Sequence, residues 1–146
     1  FSYQTAKALF KGEPKIAMLS YSTKGSARGE KIDQINRVIE KVREIEPRIK
    51  IDGELQFDAA VVPEVAIAKG VDSEVAGQAN VLIFPNLDAT NICIKAVHRL
   101  AGSFYYGSII QGSPMPFNDL SRGCAPVEVL SMSAITLMQV KEMENN

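Results

Sequence analysis

The stretch "KIAMLS", residues 15–20, decides the fold class of this chain. It is a short, continuous apolar run, which is typical of a strand buried on both faces of a sheet. A second run of this kind, "VLIF", occupies residues 81–84 and ends at a proline. Residues 48–56, "RIKIDGELQ", predict a short strand with a glycine bend, and residues 107–112, "GSIIQG", predict a fourth short strand.

Helical patterns alternate with these strands. From Glu30 onward, apolar residues recur at helical spacing as far as Ile45, and Pro47 predicts the end of this helix. Three further helices are predicted, over residues 58–68, over residues 91–102 and after Pro126. The alternation predicts one compact α/β unit, in which helices cover both faces of a mostly parallel sheet.

The first ten residues, "FSYQTAKALF", look like the closing turns of a helix. No N-terminal capping residue stands in front of them. We therefore expect that this chain is a fragment and that more of the protein lies upstream.

The composition is that of an ordinary globular domain, with 146 residues, 46% of them hydrophobic, and a net charge of -1. Because basic and acidic residues balance and no basic run occurs, the chain offers no footprint for nucleic acid or an anionic membrane. Its longest apolar runs fall short of the roughly 20 residues that span a bilayer. The two cysteines, Cys93 and Cys124, are too few for a disulfide framework, so a reducing cytoplasm is the expected location.

Polar residues follow every predicted strand. In open α/β sheets, ligands lie at the carboxyl ends of the strands, so we expect these residues to converge on one rim. They are Ser20, Ser22, Thr23, Lys24 and Ser26 after the first strand, Glu54 and Gln56 after the second, Asn86, Asp88, Thr90 and Asn91 after the third, and Gln111, Asn118, Asp119, Ser121 and Arg122 after the fourth. The alternative is that such residues form turns and helix caps, and for Ser26, Asp88 and Asn91 this alternative is favoured.

Several common types of site do not fit the sequence. Residues 22–27, "STKGSA", precede a helix as a phosphate-binding loop does, but the glycine spacing and the Gly-Lys-Ser/Thr order of a Walker motif are absent. The one histidine, His98, has no ligand at i±4 and no cysteine cluster near it, which argues against a metal site. The same absence argues against a Ser-His or Cys-His nucleophile pair.

The segment "NDLSRGC", residues 118–124, gathers several reactive groups. Arg122 lies between Ser121 and Gly123, where it offers bidentate donors to a phosphate or a carboxylate beside a hydroxyl and an unobstructed backbone. An alternative of equal weight is that Arg122 pairs with Asp119 to hold the loop.

Two residues close to this segment also bear on chemistry. Glu128 lies six residues beyond Arg122, in the predicted first turn of the last helix, where a carboxylate is ordinarily a capping group or a dipole partner. To act as a general base it needs an acidic proton nearby. Cys124 lies at the same helix start, and without a histidine partner we interpret it as structural.

Four stretches of the sequence, in this order and at this spacing, are characteristic of one known family: "KIAMLSYSTKGSA", "DGELQFDAAVVPEVA", "VAGQANVLIFPNLDATNI" and "NDLSRGC". They resemble the phosphate acetyltransferase and phosphate butyryltransferase family, and the match runs from about Thr5 to Gln139. The resemblance implies an isocitrate/isopropylmalate dehydrogenase-like fold of two α/β domains, with the site in the cleft between them. It also implies that residues 1–146 are the C-terminal portion of a phosphate acyltransferase domain, without its N-terminal half.

The resemblance further implies reversible transfer of an acetyl group between coenzyme A and inorganic phosphate, without a metal. Coenzyme A is then a substrate rather than a prosthetic group, and a cytoplasmic homodimer is expected. Arg122 and Ser121 would hold the acyl phosphate, and Glu128 stands where the family has an aspartate that removes the coenzyme A thiol proton. The residues implied to contact substrate are Asn118, Asp119, Ser20, Thr23 and Gln56.

This chain departs from the family pattern at three positions. Besides Glu128 in place of aspartate, Thr90 stands where glycine is common, and Met115 replaces a lysine. Two alternatives to a phosphate acetyltransferase therefore stay open: a phosphate butyryltransferase, or a non-catalytic acyl-coenzyme A sensing domain like those appended to malic enzymes. For this chain alone we expect little or no activity, because half of the cleft is missing.

Overall fold

A computed structural model describes residues 1–144 of the chain. Within that range it contains six helices and three strands, which are α1 (Ser2–Leu9), β1 (Lys15–Leu19), α2 (Glu30–Ile45), β2 (Lys50–Leu55), α3 (Phe57–Val61), α4 (Pro63–Ala68), β3 (Val81–Ile83), α5 (Leu87–Leu100) and α6 (Pro126–Glu144). The chain divides into two compact units rather than the single one expected. We call Glu13–Ile92 the sheet unit, and Phe1–Gly12 with the residues from Cys93 onward the helical unit.

The sheet unit is built on a parallel sheet with the strand order β2-β1-β3. Ile16 of β1 is in register with Ile51 of β2 on one side and with Val81 of β3 on the other. Parallel neighbours need crossover connections, and here α2 connects β1 to β2 while α3 and α4 connect β2 to β3. The predicted α/β class with a parallel sheet is confirmed.

Helices cover both faces of this sheet because alternate strand residues point in opposite directions. On one face, Ala17, Leu19 and Leu55 are buried in a cluster with small residues of α3, α4 and the loop that follows, namely Ala59, Ala60, Ala66, Val75 and Ala76. The small side chains let these short helices approach the strands closely. On the other face lies α2, whose buried residues are Ile32, Ile35 and Ile39.

Gly53 lets α2 approach β2. Its φ is +158°, and a Cβ atom at this position would lie 2.8 Å from Met18 Cβ and 3.2 Å from Ile39 Cδ1. Any larger residue would therefore clash with Met18 of the neighbouring strand β1 and would also crowd Ile39 of α2. The glycine predicted as a bend in the strand is a close-packing position.

Side chains cover the side of β2 that faces away from β1. The carbonyl oxygen of Ile51 accepts a hydrogen bond from Arg43 Nη2 at 2.8 Å, and that of Gly53 accepts one from Lys24 Nζ at 2.9 Å. The carboxylate of Asp52 lies between the two cations, 2.5 Å from Lys24 Nζ and 3.3 Å from Arg43 Nη2. Arg43 and Lys24 thus bond to alternate carbonyls along the strand.

The helical unit buries few side chains. Within the described residues, α5, which belongs to this unit from Cys93 onward, has no buried residue, α6 buries only Met132, and α1 packs against α6. Leu100 is 89% exposed and Leu130 is 72% exposed. These helices therefore present apolar surface that nothing in the described chain covers.

Two predicted elements differ from the structure. The fourth strand, over residues 107–112, does not form; instead Ile109 makes a single antiparallel bridge with Asn118, and Ser108 exchanges two backbone hydrogen bonds with Asp119. The apolar run is only two residues long and its partner is a nearby antiparallel segment, so it does not extend the parallel sheet. The helix predicted over residues 58–68 is two short helices, because Pro63 lacks an N–H and begins a new one.

Other predicted boundaries shift by a few residues. The helix expected from residue 91 begins at Leu87, and the last helix extends as far as Glu144. The expected fraying at the end of the chain includes residues 145–146, which lie outside the described range. No helix within residues 1–144 combines the length and the apolarity that crossing a membrane requires.

Candidate active site

Arg122 lies on a tight turn in the helical unit. The N–H of Cys124 donates to the carbonyl of Ser121 at 3.0 Å, which places Arg122 and Gly123 at the two central positions of a β-turn. Ser121, Arg122 and Gly123 are all exposed. We call residues 118–125, which contain this turn, the arginine segment.

The guanidinium of Arg122 makes no hydrogen bond or ion pair within residues 1–144. The alternative pairing with Asp119 is not formed; the Asp119 carboxylate accepts the backbone N–H of Leu120 at 2.8 Å. At the next residue, a Cβ on Gly123 would meet no atom within 4 Å other than those of its chain neighbours. The turn therefore presents a bidentate cation beside open space, which suits an oxyanion ligand.

Glu128 caps helix α6. Its Oε2 accepts the N–H of Ala125 at 2.5 Å, and its own N–H donates to the Ala125 carbonyl at 2.9 Å. Since Glu128 is the third residue of the helix and Ala125 precedes the first, this is the glutamate half of a capping box. The helix cap predicted for Glu128 is thus formed in the structure. Its role as a general base stays a prediction.

Asn118 ties the start of the arginine segment to the middle of α6. Its Nδ2 donates to Thr136 Oγ1 at 2.8 Å and to Gln139 Oε1 at 2.7 Å, and its Oδ1 accepts the N–H of Ile110 at 3.2 Å. An asparagine amide has two hydrogens to donate, so both are used here. Neither Thr136 nor Gln139 was a candidate from the sequence, because each lies far along the chain from the motif.

In the sheet unit, Thr23 and Gln56 bind each other. The Thr23 hydroxyl donates to Gln56 Oε1 at 3.1 Å and accepts the Gln56 N–H at 3.0 Å, while Lys69 Nζ also donates to Gln56 Oε1 at 2.8 Å. Ser20 is half-buried at the carboxyl end of β1, where its N–H donates to the carbonyl of Leu55 at 2.8 Å. The structure brings these three predicted residues to the same end of the sheet, with Thr23 and Gln56 already hydrogen-bonded.

A buried carboxylate organises residues 20–27, which we call the β1 loop. Glu54 is 2% exposed, and its Oε1 accepts the Ser22 hydroxyl at 2.9 Å and the Gly25 N–H at 2.7 Å. The Ser22 oxygen in turn accepts the N–H of Ala27 at 3.0 Å. The β1 loop is thus wrapped around one acidic residue of the neighbouring strand.

Both carboxylates of β2 have a lowered pKa. Burial raises the pKa of Glu54, but hydrogen bonds from the Gly25 N–H, its own N–H and Ser22 lower it by more. Burial likewise raises the pKa of Asp52, and hydrogen bonds led by that of Lys24 outweigh it. The β1 loop thus contributes to keeping both groups ionised, together with Ser73 for Asp52 and the backbone N–H groups of β2.

Other polar candidates have structural partners. Asn86 caps α5, since its Oδ1 accepts the N–H of Ala89 at 2.8 Å. Ser26 accepts the N–H of Thr23 at 3.0 Å, as the turn interpretation predicts. The Nδ1 of His98 lies 2.8 Å from the carbonyl oxygen of Ser103. Across residues 1–144, no three His, Cys, Asp or Glu side chains are grouped to hold a metal ion.

Comparison with known proteins identifies the family of this chain. The model of the phosphate acetyl/butaryl transferase family matches residues 1–137. The chain is 48% identical over 138 residues to the phosphate acetyltransferase of Clostridium acetobutylicum, covering 94% of this chain and 41% of that protein. It is 50% identical over 140 residues to the phosphate acetyltransferase of Thermoanaerobacterium thermosaccharolyticum, covering 96% and 43%.

A solved structure is similar as well. The crystal structure of a phosphotransacetylase from Streptococcus pyogenes superposes with a TM-score of 0.89 at 45% sequence identity, covering 97% of this chain and 43% of that one. This chain therefore spans about two fifths of the length of the relatives that it matches.

Proposed function

Because this chain belongs to the phosphate acetyl/butaryl transferase family, we propose that the protein it represents is a phosphate acetyltransferase. The enzyme transfers an acetyl group reversibly between coenzyme A and inorganic phosphate. Both are substrates, and the family resemblance implies no prosthetic group or metal. One observation carries the proposal within this chain: the exposed guanidinium of Arg122, on a fixed turn, without a partner among the described residues.

The proposed reaction joins the thiol of coenzyme A to the acetyl group of acetyl phosphate. The sulfur attacks the acetyl carbonyl carbon, a C–S bond forms, and the C–O bond to phosphate breaks. A thiol is mostly protonated at neutral pH, so a base must take its proton. Arg122 and the hydroxyl of Ser121 would bind the phosphoryl oxygens and stabilise the charge that phosphate carries away.

Glu128 is the proposed base, although it also caps α6. The cap uses Oε2, and the carboxylate has a second oxygen, Oε1, that can take the thiol proton. The cap fixes the side chain near the start of α6, six residues after Arg122 in sequence. A longer side chain than aspartate places the carboxylate differently, and a shift of about 1 Å can lower a rate roughly 100-fold.

We further propose that residues 1–146 are the C-terminal portion of a two-domain, isocitrate/isopropylmalate dehydrogenase-like fold. Ser20, Thr23, Gln56, Asn118 and Asp119 are the predicted substrate-binding residues, and of these Ser20 and Asp119 are the proposed direct contacts. The apolar side chains exposed on α5 and α6 support a homodimer, because such surface is costly to leave in water. A cytoplasmic location follows from the expected function, and nucleic acid and membranes are not proposed as partners.

The test is a coupled assay of acetyl phosphate turnover that depends on coenzyme A, run on the longest natural form of the protein. Turnover that is lost on substitution of Arg122 supports the proposal. Absence of turnover, with coenzyme A still bound, supports a non-catalytic acyl-coenzyme A sensor instead. The observation that favours this second function is Glu128, which replaces the usual aspartate and is engaged in a helix cap. Comparing acetyl with butyryl phosphate tests the phosphate butyryltransferase alternative.

A further inference from the structure

The arginine segment lies between two attachments to the same helix. Its C-terminal end leads directly into α6 at Pro126, and its N-terminal end is bonded to α6 through Asn118. The bonds join residues 18 and 21 positions apart in the sequence. The turn that carries Arg122 is therefore closed at both ends on one rigid element.

The arginine segment is only slightly longer than the distance between its two attachments to α6. Along α6, the distance from Pro126 to residues 136–139 is about 15–20 Å. Residues 118–125 reach about 26 Å when fully extended, and the turn at Ser121–Cys124 takes up part of that length. A segment held this tightly has few alternative conformations, so the backbone position from which the Arg122 side chain extends is fixed.

The hydrogen-bond partners of Asn118 determine which way its amide faces. The backbone N–H of Ile110 can only donate, so it must face the amide oxygen of Asn118. The two amide hydrogens then face Thr136 and Gln139. The hydroxyl hydrogen of Thr136 is directed to the carbonyl of Met132 at 2.8 Å, which leaves its oxygen to accept from Asn118.

We infer that Thr136 and Gln139 are positioning residues for Arg122, which they act on through Asn118. The inference rests on the proposed function, in which Arg122 binds the phosphoryl group. Asn118, predicted as a substrate-binding residue, then acts at a distance, because both of its donors are used by α6. A charge-assisted contact to phosphate depends on guanidinium geometry, so a loosened turn weakens binding of phosphate more than binding of the rest of coenzyme A.

The variants are chosen to remove or keep one acceptor each. Gln139→Leu and Thr136→Val remove the oxygens that accept from Asn118, whereas Gln139→Glu and Thr136→Ser keep them. Ser133→Ala is the matched control, because the Ser133 hydroxyl also donates to a carbonyl four residues back, at 2.9 Å, but has no bond to the arginine segment. All variants are made in the longest natural form of the protein.

The first measurement does not depend on catalysis. Phenylglyoxal modifies exposed arginines, and peptide mass spectrometry reports how far inorganic phosphate protects Arg122. In Gln139→Leu and Thr136→Val we expect the half-protecting phosphate concentration to rise on the order of tenfold, the loss that follows from a weakened charge-assisted hydrogen bond. The conservative variants and Ser133→Ala are expected to stay within about twofold of the wild type.

The second measurement compares the KM for phosphate with the KM for acetyl-coenzyme A. In the direction that consumes phosphate, the KM for phosphate should rise on the order of tenfold in Gln139→Leu, while the KM for acetyl-coenzyme A changes less than about twofold. Equal rises in both constants would overturn the inference, as would a loss in Gln139→Glu as large as that in Gln139→Leu.

The outcomes separate this inference from the proposed function. Suppose that the wild type turns over acetyl phosphate, and that Gln139→Leu and Thr136→Val have the same half-protecting phosphate concentration as the wild type. The positioning role of Thr136 and Gln139 is then wrong, and the proposed function stands. Suppose instead that the wild type shows no turnover, but that the half-protecting phosphate concentration rises in Gln139→Leu and Thr136→Val. The positioning role then stands, and the proposed reaction is wrong. If phosphate does not protect Arg122 in the wild type, both are overturned.

Discussion

The β1 loop of the sheet unit and the arginine segment of the helical unit have similar compositions and use them in opposite ways. Each contains serine, glycine and one basic residue. In the β1 loop the basic residue, Lys24, donates to Asp52 and to the carbonyl of Gly53. In the arginine segment, Arg122 has no partner within residues 1–144.

The difference comes from the neighbouring elements. The β1 loop folds over β2, where the buried carboxylate of Glu54 accepts its hydroxyl and N–H groups. Burial makes such bonds necessary, since an unpaired polar group inside a protein is costly. The arginine segment has one carboxylate of its own, Asp119, which accepts the N–H of Leu120 and forms no ion pair with Arg122 within residues 1–144. One polar loop thus bonds to the fold, and the other leaves its cation without a partner in the described part of the chain.

The largest effect that tests this comparison is expected from Arg122→Met. Loss of the guanidinium should lower kcat/KM for acetyl phosphate on the order of 100- to 1000-fold, because in the proposed reaction this charge stabilises departing phosphate. The free energy of unfolding should change by less than about 0.5 kcal/mol, since no contact of the fold is lost. The coupled assay and urea unfolding measure the two quantities.

Lys24→Met is the matched counter-variant. It should reduce the free energy of unfolding by about 1 kcal/mol, because Asp52 loses its closest cation at a partly exposed site. If Arg122→Met destabilises the protein more than Lys24→Met does, the two loops do not differ in the way described.

The next largest effect is expected from Glu128→Gln. The amide oxygen still accepts the Ala125 N–H, so the cap on α6 is kept, but the side chain can no longer take a proton from the thiol. We expect kcat to fall on the order of 100-fold, with the unfolding midpoint unchanged. Glu128→Ala removes the cap as well and should also lower stability by roughly 1 kcal/mol.

Retention of kcat in Glu128→Gln, together with a loss of stability in Glu128→Ala, would make this residue a cap alone. The proposed base would then be wrong, whereas the sensor function requires that the wild type itself shows no turnover. Coenzyme A binding by calorimetry distinguishes a sensor from a misfolded variant.

A smaller effect is expected from Glu54→Gln in the sheet unit. The substitution keeps the shape but puts an NH₂ group or a weaker acceptor against the Ser22 hydroxyl and the Gly25 N–H. Loss of about 1–3 kcal/mol in the free energy of unfolding should follow, and urea titration measures it. Glu64→Gln, on the exposed side of α4, is the control and should change stability by less than about 0.5 kcal/mol.

The smallest effect is expected in the pH dependence of stability. Because the pKa values of Asp52 and Glu54 are lowered in the folded state, their stabilising contribution is complete above their unfolded pKa, near pH 4, and is lost as the pH falls through the folded values. The free energy of unfolding should therefore decrease as the pH is lowered from about 5. Glu54→Gln should show a shallower decrease than wild type, and an identical slope would contradict the role given to Glu54.

Periodicity and loop chemistry predicted most of the sheet unit. The apolar run of β1 and the helical spacing of α2 predict elements whose bounds differ by at most one residue from the structure. Gln56 and Thr23 were predicted as neighbours of one site, since each follows a strand of the same sheet. The fourth strand was wrong, because a two-residue apolar run does not reveal whether its partner is parallel or antiparallel.

The partners of the candidate site could not be read from the sequence. Asn118 is bonded to Thr136 and Gln139, which belong to what looks from periodicity alone like an ordinary amphipathic helix. Burial of Glu54 was hidden for a similar reason, since an acidic residue after a strand usually predicts a wet loop. In both cases the information lies in tertiary contacts rather than in local pattern.

The carbonyl oxygens of β2 that bind Lys24 and Arg43 have a consequence for assembly. An incoming strand would have to displace both cations from Gly53 and Ile51 before it could form a ladder there. That margin of the sheet is therefore protected against edge-to-edge aggregation. A strand that adds to this sheet, whether from the same polypeptide or from another molecule, is expected on the side of β3 rather than on that of β2.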